Sequence, residues 1–339
     1  MKLAVIAHPR HPIRAPFAGG LEAFIASLVS SYNQDIDVTL YAHPDSQVNC
    51  ELVSFPLNEK TYKQYPDIVE NDFLLKVMED ITRRGFDVVH NNAISSVPPL
   101  WACKYDIPIL TTLHTPPYSK LKAAADLASY SPYVHYNAVS YSVAELWRPF
   151  INDDIDVVYN GVDLNQWDVA KSHPEFAFSF GRITPSKGFD LAIKASTELG
   201  LPFCFAGPVF DQRYFDDVIT PLLSDKVQYL GHLTHRQINE RLKKARAVVF
   251  GARWDEPFGL STVEAMATGT PVAAFNRGAF PEIVADSGGC LATGNNVYSL
   301  AEALSRAIDY HRDDVRQRAD YFPLSTMCQA YSSKVSGLI

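Results

Sequence analysis

Two glutamates, Glu256 and Glu264, flank the start of a predicted helix in the segment EPFGLSTVE. A carboxylate on the preceding loop can accept hydrogen bonds from sugar hydroxyls, and one inside the helix can hold a ribose diol. The backbone N–H groups at a helix start have no partner within the helix and can bind an anion such as a phosphate. These groups belong to Phe258, Gly259 and Leu260. The alternative is a surface helix whose acidic residues stabilise its positive end.

Two cations, Arg182 and Lys187, lie in the segment GRITPSKG between a predicted strand and a predicted helix. An arginine fork and a lysine point charge can hold a diphosphate and neutralise it as a leaving group. The order of residues differs from that of the P-loop, which argues against a P-loop kinase. An ordinary surface loop with two cations remains the alternative.

Polar and glycine residues also follow strands in the first half of the sequence. Gly19 and Gly20 form a glycine turn before the first helix, a further anion site, but the Gly-x-Gly-x-x-Gly pattern of nicotinamide dehydrogenases is absent. His114 falls just past a strand end and is either a functional group or a packed histidine. Asn91 and Asn92 follow another strand and either bind the hydroxyls of a second substrate or form a polar turn.

Short apolar runs alternate with helix-period segments, and this pattern restarts after the turn Asn160–Asp163. Continuous apolar runs are typical of parallel strands that are buried on both faces. The sequence therefore predicts an α/β protein of two Rossmann-like doubly wound domains. The domains are expected at residues 1–163 and 164–318, with residues 319–339 packing back on the first and a linker at about 160–175.

The strands and helices of the two domains are predicted from these runs. Strands are predicted at Leu3–Ala7, Val38–Tyr41, Val88–His90, Ile109–Leu113, Ala138–Ser140, Val157–Tyr159, Phe176–Phe180, Phe203–Ala206, Val227–Leu230, Ala247–Phe250 and Val272–Phe275. Helices are predicted at Gly20–Ser31, Asn71–Arg84, Val143–Trp147, Gly188–Leu199, Tyr214–Leu223, Arg236–Lys244, Leu260–Thr268 and Leu300–Tyr310. Ligands of open parallel sheets bind beyond the carboxyl ends of the strands, so the motifs above are expected in a cleft between two sheets.

Charge and composition exclude several classes of protein. The net charge is −8, most of it before residue 164, and no basic stripe is present, so neither nucleic acid nor more than weak peripheral membrane contact is expected. No apolar run approaches the ~18–20 residues of a membrane span. The five scattered cysteines indicate reduced thiols and a cytoplasmic protein. No metal site is expected, because Asp154 and Asp156 precede a strand at its amino end, away from the predicted cleft.

Together and in this order, the four motifs resemble those of the family 4 glycosyltransferases, which have the GT-B fold. The resemblance covers nearly the whole chain and is densest from Asn160 to Glu282. It implies transfer of a sugar from a nucleoside diphosphate-sugar to an acceptor, with retention of anomeric configuration and without a cofactor or metal. Front-face attack, with the donor phosphate taking the acceptor proton, would then need no carboxylate nucleophile.

The resemblance also implies a role for each matching residue. Catalytic roles fall on His114 beside the anomeric carbon, Arg182 and Lys187 at the diphosphate, and Glu256 at the donor sugar. Donor-binding roles fall on Gly19, Gly20, Gly231, His232, Phe258, Gly259, Leu260 and Glu264. In this assignment Gly19 and Gly20 cover the phosphates, the segment YLGH contacts the base, and Glu264 holds the ribose. The segment NRGAFPE matches a Gly-Gly-x-Pro-Glu helix start in which Arg277 replaces one glycine.

The donor base and the acceptor are less defined. UDP is favoured as the nucleotide, ahead of GDP and ADP, and the acceptor is expected to be a sugar or small molecule. Acceptor choice is expected to depend on loops 9–17, 56–71 and 116–128, which carry no recognisable motif. An epimerase or phosphorylase on the same architecture and a non-catalytic sugar-nucleotide-binding protein are the alternatives.

Overall fold

A computed structural model describes residues 1–32, 36–169 and 175–339. The chain forms two compact units, the first of Met1–Tyr159 with Ser325–Ile339 and the second of Asn160–Leu324. Their boundaries lie a few residues from those predicted at 163 and 318. Residues 170–174 of the predicted linker lie outside the described residues.

The first unit contains a seven-stranded parallel sheet in the order β3-β2-β1-β4-β5-β6-β7. Its strands are β1 Lys2–Ile6, β2 Asp37–Tyr41, β3 Glu51–Val53, β4 Val88–Asn91, β5 Ile109–Leu113, β6 Val134–Ala138 and β7 Asp156–Val157. Its helices before residue 160 are α1 Gly20–Ser31, α2 Glu59–Gln64, α3 Pro66–Arg84, α4 Val97–Tyr105, α5 Ser119–Ala128 and α6 Tyr141–Trp147. The central strands β1 and β5 are buried along almost their whole length, as expected of strands covered on both faces.

The second unit contains a six-stranded parallel sheet in the order β10-β9-β8-β11-β12-β13. Its strands are β8 Phe176–Phe180, β9 Phe203–Ala206, β10 Val227–Tyr229, β11 Ala245–Phe250, β12 Val272–Phe275 and β13 Gly289–Ala292. Its helices are α7 Phe189–Glu198, α8 Gln212–Tyr214, α9 His235–Lys244, α10 Leu260–Ala267, α11 Phe280–Val284, α12 Val297–Ala307 and α13 Arg312–Ala319. The prediction of two doubly wound α/β units is thereby confirmed.

The last helix, α14 Leu324–Ser336, belongs almost entirely to the first unit. Its Tyr331 is fully buried, stacks on His90 with ring centroids 4.9 Å apart, and accepts a hydrogen bond of 3.0 Å from Asn137 Nδ2. Lys334 forms an ion pair with Asp156, an exposed member of the Asp154/Asp156 pair. The first unit is therefore built from both ends of the chain.

The second unit is consequently a continuous insertion whose two ends lie side by side. Val162 N donates to Phe322 O and Leu324 N donates to Val162 O, both at 2.9 Å. A Cβ on Gly161 would lie 2.6 Å from Leu324 Cα, so this close pairing leaves no room for a side chain there.

Some predicted elements are displaced or irregular. The sequence predicts a strand at Ala138–Ser140, but β6 runs from Val134 to Ala138. The prediction missed the start of this strand because His135 and Asn137 interrupt its apolar run. The helix predicted at Tyr214–Leu223 is a short α turn followed by a π-helical and a 3-10 segment. Pro221, which has no N–H to donate, lies in the 3-10 segment. Across the described ranges, no helix is both long and apolar enough to cross a membrane.

Candidate functional site

Three loops of the second unit leave the same edge of its sheet. Strands β8, β11 and β12 are neighbours and run parallel, so the loops 181–188, 251–259 and 276–279 emerge together at their carboxyl ends. Ligands of such sheets bind at this edge. The first loop carries the two predicted cations, Arg182 and Lys187, and the second carries the predicted carboxylate Glu256.

Glycines allow the three loops to touch backbone to backbone. Gly188 has φ +64, and a Cβ on it would lie only 1.8 Å from Gly251 O, which joins the first loop to the second. A Cβ on Gly278, at φ +56, would lie 2.4 Å from Glu256 N. Ala279 N also donates to Glu256 O at 2.8 Å. The backbone of Glu256 is thus held by the third loop, and that of Lys187 lies beside the contact between the first and second.

Lys187, Trp254 and Glu256 form one side-chain cluster. Lys187 Nζ lies 2.6 Å from Glu256 Oε2 and 5.1 Å from the centroid of the Trp254 ring. Trp254 Nε1 donates to the same Oε2 at 3.0 Å. The side chains of Lys187 and Glu256 are 24% and 13% exposed, so both are sheltered yet reachable from solvent. The structure brings the two predicted residues together and adds Trp254, for which the only sequence signal is its position just before EPFG.

Arg182 lies at the start of the first loop, with its guanidinium 5.5 Å from the centroid of the Phe210 ring. Within residues 1–32, 36–169 and 175–339, no carboxylate forms an ion pair with it. Its charge is therefore not offset by an acidic neighbour, in contrast to that of Lys187. Such a guanidinium can make charge-assisted hydrogen bonds to a phosphate.

The helix α10 begins at this edge behind Gly259, which has φ +84. The Phe258 ring is buried against Phe322 with centroids 5.7 Å apart, so residue 258 can offer a ligand its backbone but not its side chain. Leu260 starts the helix, and its N–H is among those without an intrahelical partner. Glu264 lies on the next turn and is partly exposed; desolvation raises its pKa, and nearby His235 opposes this.

Gly231 and His232 follow β10, the outermost strand, at the same edge of the sheet. Gly231 has φ +76, and its carbonyl accepts a 2.9 Å hydrogen bond from Gly207 N, which follows β9. His232 is exposed. Strands β9 and β8 thus lie between this pair and Glu256, which follows β11.

In the first unit, the predicted glycine turn leads into a nearly buried contact between a carboxylate and a histidine. Gly19 is the N-cap of α1 and Gly20 is its first residue. Glu22, in the first turn, lies 3.1 Å from His8 Nε2, and both side chains are nearly buried. Desolvation works to raise the pKa of Glu22, but the contact with His8 outweighs it and lowers this pKa below its usual range.

His114 is held as a neutral ring. Its Nε2 lies 2.9 Å from Asn92 Oδ1, and its ring packs edge-on against Phe24 at 4.9 Å. Desolvation, with smaller contributions from His90 and His8, lowers its pKa to about 3. Since Asn92 Oδ1 can only accept, Nε2 is assigned the proton and Nδ1 the lone pair.

Asn91 and Asn92 are fully buried, in contrast to the exposed position that the predicted contact with a second substrate requires. Asn91 Oδ1 accepts from Ala93 N at 3.0 Å, and its Nδ2 lies 3.3 Å from Thr111 Oγ1. Asn92 is engaged by His114. A ligand could reach neither amide without displacing these neighbours, because both side chains are buried and hydrogen-bonded within the unit.

A chain of buried polar groups lies beneath this region. Thr112 Oγ1 donates to Asn137 Oδ1 at 2.8 Å, and His90 Nε2 lies 2.8 Å from the same hydroxyl. Desolvation lowers the pKa of His90 to about 3, so its ring is neutral at pH 7. Through Asn137 the chain continues to Tyr331 of α14.

In the part of the chain that the structure describes, no three His, Cys, Asp or Glu side chains are grouped to hold a metal ion.

Two family models together match most of the chain. The model described as Glycosyltransferase Family 4 matches residues 18–166. The model described as Glycosyl transferases group 1 matches residues 164–321. The second match includes all three loops.

Two relatives illustrate the sequence similarity. The D-inositol 3-phosphate glycosyltransferase of Mycolicibacterium smegmatis is 29% identical over 263 residues, which are 66% of this chain and 60% of that protein. An uncharacterised glycosyltransferase of Methanocaldococcus jannaschii is 24% identical over 308 residues, which are 87% of this chain and 86% of that protein. The chain therefore spans less than two thirds of the first relative and most of the second.

Solved structures share the fold. Anabaena HepE in complex with UDP-glucose matches with a TM-score of 0.79 at 19% identity, over 99% of this chain and all of that one (100%). AviGT4, a glycosyltransferase involved in avilamycin A biosynthesis, matches with a TM-score of 0.73 at 21% identity, over 99% of this chain and 97% of that one. With its two halves matched by the two family models and its fold shared along its whole length, this chain belongs to the family 4 glycosyltransferases of the GT-B fold.

Proposed function

We propose that this glycosyltransferase moves a hexose from a nucleoside diphosphate-sugar to a sugar or small-molecule acceptor, with retention of configuration and without a metal ion. The observation that carries the proposal is the set of Arg182, Lys187 and Glu256 at one sheet edge, beside the start of α10. Two cations and a helix start suit a diphosphate, and a sheltered carboxylate suits sugar hydroxyls.

In this proposal the second unit, residues 160–324, binds the donor. Lys187 and Arg182 hold the diphosphate, the N–H groups of residues 258–260 support it, and Glu264 accepts from the ribose. Gly231 and His232 contact the base. UDP is the first candidate nucleotide, because HepE shares the fold and was solved with UDP-glucose.

The chemical work of these residues is electrostatic. Negative charge grows on the leaving diphosphate as the glycosidic bond breaks, and fixed cations beside it lower the barrier. Lys187 is already paired with Glu256, so a bound diphosphate would compete with that carboxylate for the ammonium. Glu256, held by its backbone, would then turn its oxygens to the donor sugar.

Retention follows if the acceptor attacks the face from which the diphosphate leaves. The acceptor oxygen forms its bond to the anomeric carbon as the bond to the phosphate oxygen breaks, and the acceptor proton passes to that phosphate oxygen. No carboxylate nucleophile is needed, in contrast to the two-carboxylate glycosidases.

The first unit is proposed to bind the acceptor, and Gly19 and Gly20 to cover the donor phosphates. His114 is proposed to contact the reacting sugar as a neutral ring, since its pKa of about 3 excludes an imidazolium at pH 7. Asn92 is proposed to orient that ring. We propose a cytoplasmic location, with no nucleic-acid partner and at most weak peripheral contact with membranes.

The direct test is thermal unfolding of the protein with UDP, GDP, ADP or NAD, each with and without magnesium. A ligand at 100 times its Kd adds about 2.7 kcal/mol to the free energy of unfolding. We expect UDP to stabilise the protein without magnesium. Stabilisation by NAD alone, or by none of the four, would contradict the proposed donor site.

The reaction itself is tested by incubating the protein with UDP-glucose and following the sugar by proton NMR. With water as a poor acceptor, retention releases α-glucose first and inversion releases β-glucose. Conversion of UDP-glucose to a second UDP-hexose would instead show an epimerase. Release of glucose 1-phosphate only when phosphate is added would show a phosphorylase.

A further inference from the structure

Arg253 bridges two of the three loops at the carboxyl edge of the second sheet. Its guanidinium makes two parallel hydrogen bonds to Asp190, Nη1 to Oδ1 and Nη2 to Oδ2, both at 2.7 Å. Nη1 also donates to Pro185 O at 2.9 Å. Its backbone N–H donates to Ser186 O at 2.8 Å. One residue of the second loop thus binds three groups on the first loop and its following helix.

Asp190, which binds the Arg253 guanidinium, is buried and held in place by its own hydrogen bonds. Its side chain is 6% exposed, and Tyr214 donates its hydroxyl to Oδ1 at 2.7 Å. With two donors from Arg253, the carboxylate accepts three hydrogen bonds. Although desolvation opposes ionisation, these contacts lower the pKa of Asp190, so it is charged at neutral pH. Asp190 lies in the first turn of α7, so the helix itself is tied to Arg253.

The hydrogen bonds of Arg253 hold the backbone immediately before Lys187. Pro185, Ser186 and Lys187 form a single 3-10 turn, and both carbonyls bound by Arg253 belong to this turn. The residue after Arg253 is Trp254, which contacts the Lys187 ammonium. Arg253 therefore fixes the backbone from which Lys187 extends, and its neighbour fixes the side chain.

We propose that Arg253 is a positioning residue, which holds the 185–187 turn so that Lys187 meets the donor diphosphate. The inference rests on the proposed function and concerns how the donor site is preorganised. The Arg253 side chain is 41% exposed and that of Asp190 is 6% exposed, so the pair joins the surface of the loops to the buried start of α7. The Arg253–Asp190 pair matters for the geometry of the turn, because only the planar guanidinium can bind both oxygens of Asp190 and the Pro185 carbonyl.

A double-mutant cycle on UDP binding tests this inference without an acceptor. The variants are Arg253→Ala, Lys187→Ala and the double mutant, with Arg253→Lys added to separate fold from function. Affinity is measured by titration calorimetry, and folding is checked for each variant by thermal unfolding. Arg213→Ala is the matched control, since it removes an arginine–aspartate pair of the same unit whose arginine side chain is 92% exposed.

We expect Arg253→Ala to weaken UDP binding about tenfold in the wild type and less than twofold in the Lys187→Ala background. Arg253→Lys should restore the unfolding temperature but not the affinity, because an ammonium cannot form the fork. Arg213→Ala should bind UDP as the wild type does. These results would show that Arg253 acts through Lys187.

Three results would overturn the inference. Equal losses of affinity from Arg253→Ala in both backgrounds would mean that Arg253 supports the fold and not Lys187. If Arg253→Ala fails to fold, Arg253→Lys decides, since wild-type affinity in that variant would exclude a need for the fork. Absence of binding of any nucleoside diphosphate to the wild type would instead overturn the proposed function, and this inference with it.

Discussion

The two units share one architecture but differ in the burial and charge of their polar residues. In the second unit, Lys187 and Glu256 are charged, partly exposed and placed on loops that meet through glycine backbones. In the first unit, the polar residues at the carboxyl ends of the strands, or just after them, are mostly buried and neutral. His90 and Asn91 are fully buried, and His114 is an uncharged ring.

This difference shows two ways of fixing a functional group. Backbone contacts without side chains, such as that of Gly188 with Gly251, set the position of charges while leaving them open to a ligand. Side-chain networks, such as that from His90 to Tyr331, set position by using the polar groups internally. The second unit should therefore be sensitive to loss of charge and to added Cβ atoms. The first should be sensitive to pH.

The largest effect is expected from Lys187→Ala. Loss of one preorganised group that stabilises developing charge typically costs about 10²–10³ in rate. We expect that loss in kcat for transfer or hydrolysis of UDP-glucose, measured by UDP release. Lys226→Ala, which removes an exposed lysine at the other end of the sheet, is the control. A near-normal rate in Lys187→Ala would contradict the role of the charge.

Gly188→Ala tests the backbone contact in the second unit. The variant must accept φ +64 and place a Cβ 1.8 Å from Gly251 O, so we expect the free energy of unfolding to fall by about 2–4 kcal/mol. Gly200→Ala is a matched control, because Gly200 has φ +66 with no atom within 4 Å of the added Cβ. It should lose only about 1–2 kcal/mol in urea unfolding. Equal losses would show that the loop contact carries no constraint.

His90→Gln tests the neutral network of the first unit. The pKa of His90 is about 3 in the folded protein and near 6.5 when unfolded, so between these values only the unfolded state binds the proton. This contribution to stability is complete above pH 6.5 and is lost as the pH falls toward 3, at about 1.4 kcal/mol per pH unit. In His90→Gln the pH dependence should be shallower by that amount.

Urea unfolding of wild type and variant between pH 4 and 7 measures this difference in slope. His311→Gln is the control, because the His311 side chain is 73% exposed. A variant whose slope equals that of the wild type would show that His90 titrates normally in the folded protein.

The smallest effect is expected from Glu256→Gln. Removing the carboxylate that pairs with Lys187 leaves the ammonium free for the diphosphate, so UDP should bind about threefold to tenfold more tightly while turnover falls. Asp255→Asn is the control on the neighbouring residue, whose carboxylate pairs with Arg277 instead. Weaker UDP binding in Glu256→Gln would mean that the pair with Lys187 preorganises the site and does not compete with the ligand.

Much of the fold and part of the site could be predicted from the sequence. The apolar runs located most strands, because buried parallel strands are continuous in sequence, and the motif loops follow from those strands. Arg253 and Trp254 were not predicted to belong to the site. Their contacts with Asp190 and Lys187 depend on β8 lying beside β11, and strand order is not visible in a local pattern.

Two edge strands, two buried asparagines and one aromatic contact were also not predicted from the sequence. The strands β3 and β13 lie at the edges of their sheets, where β3 begins with an exposed glutamate and β13 with a glycine, so neither gives a continuous apolar run. The burial of Asn91 and Asn92 depends on tertiary packing, which an asparagine pair after a strand does not reveal. The place of Tyr331 against His90 joins residues from opposite ends of the chain.

The side-by-side ends of the second unit have a practical consequence for protein engineering. Because Val162 and Leu324 are hydrogen-bonded neighbours, residues 160–324 form a cassette that can be cut out of the gene as one uninterrupted stretch of DNA. Because the two ends of this segment are adjacent, a short linker can join the chain where the segment is removed. The corresponding segment of a relative can be inserted at the same two points. Chimaeras made at these two junctions would exchange one unit while leaving α14 and its Tyr331 in the first.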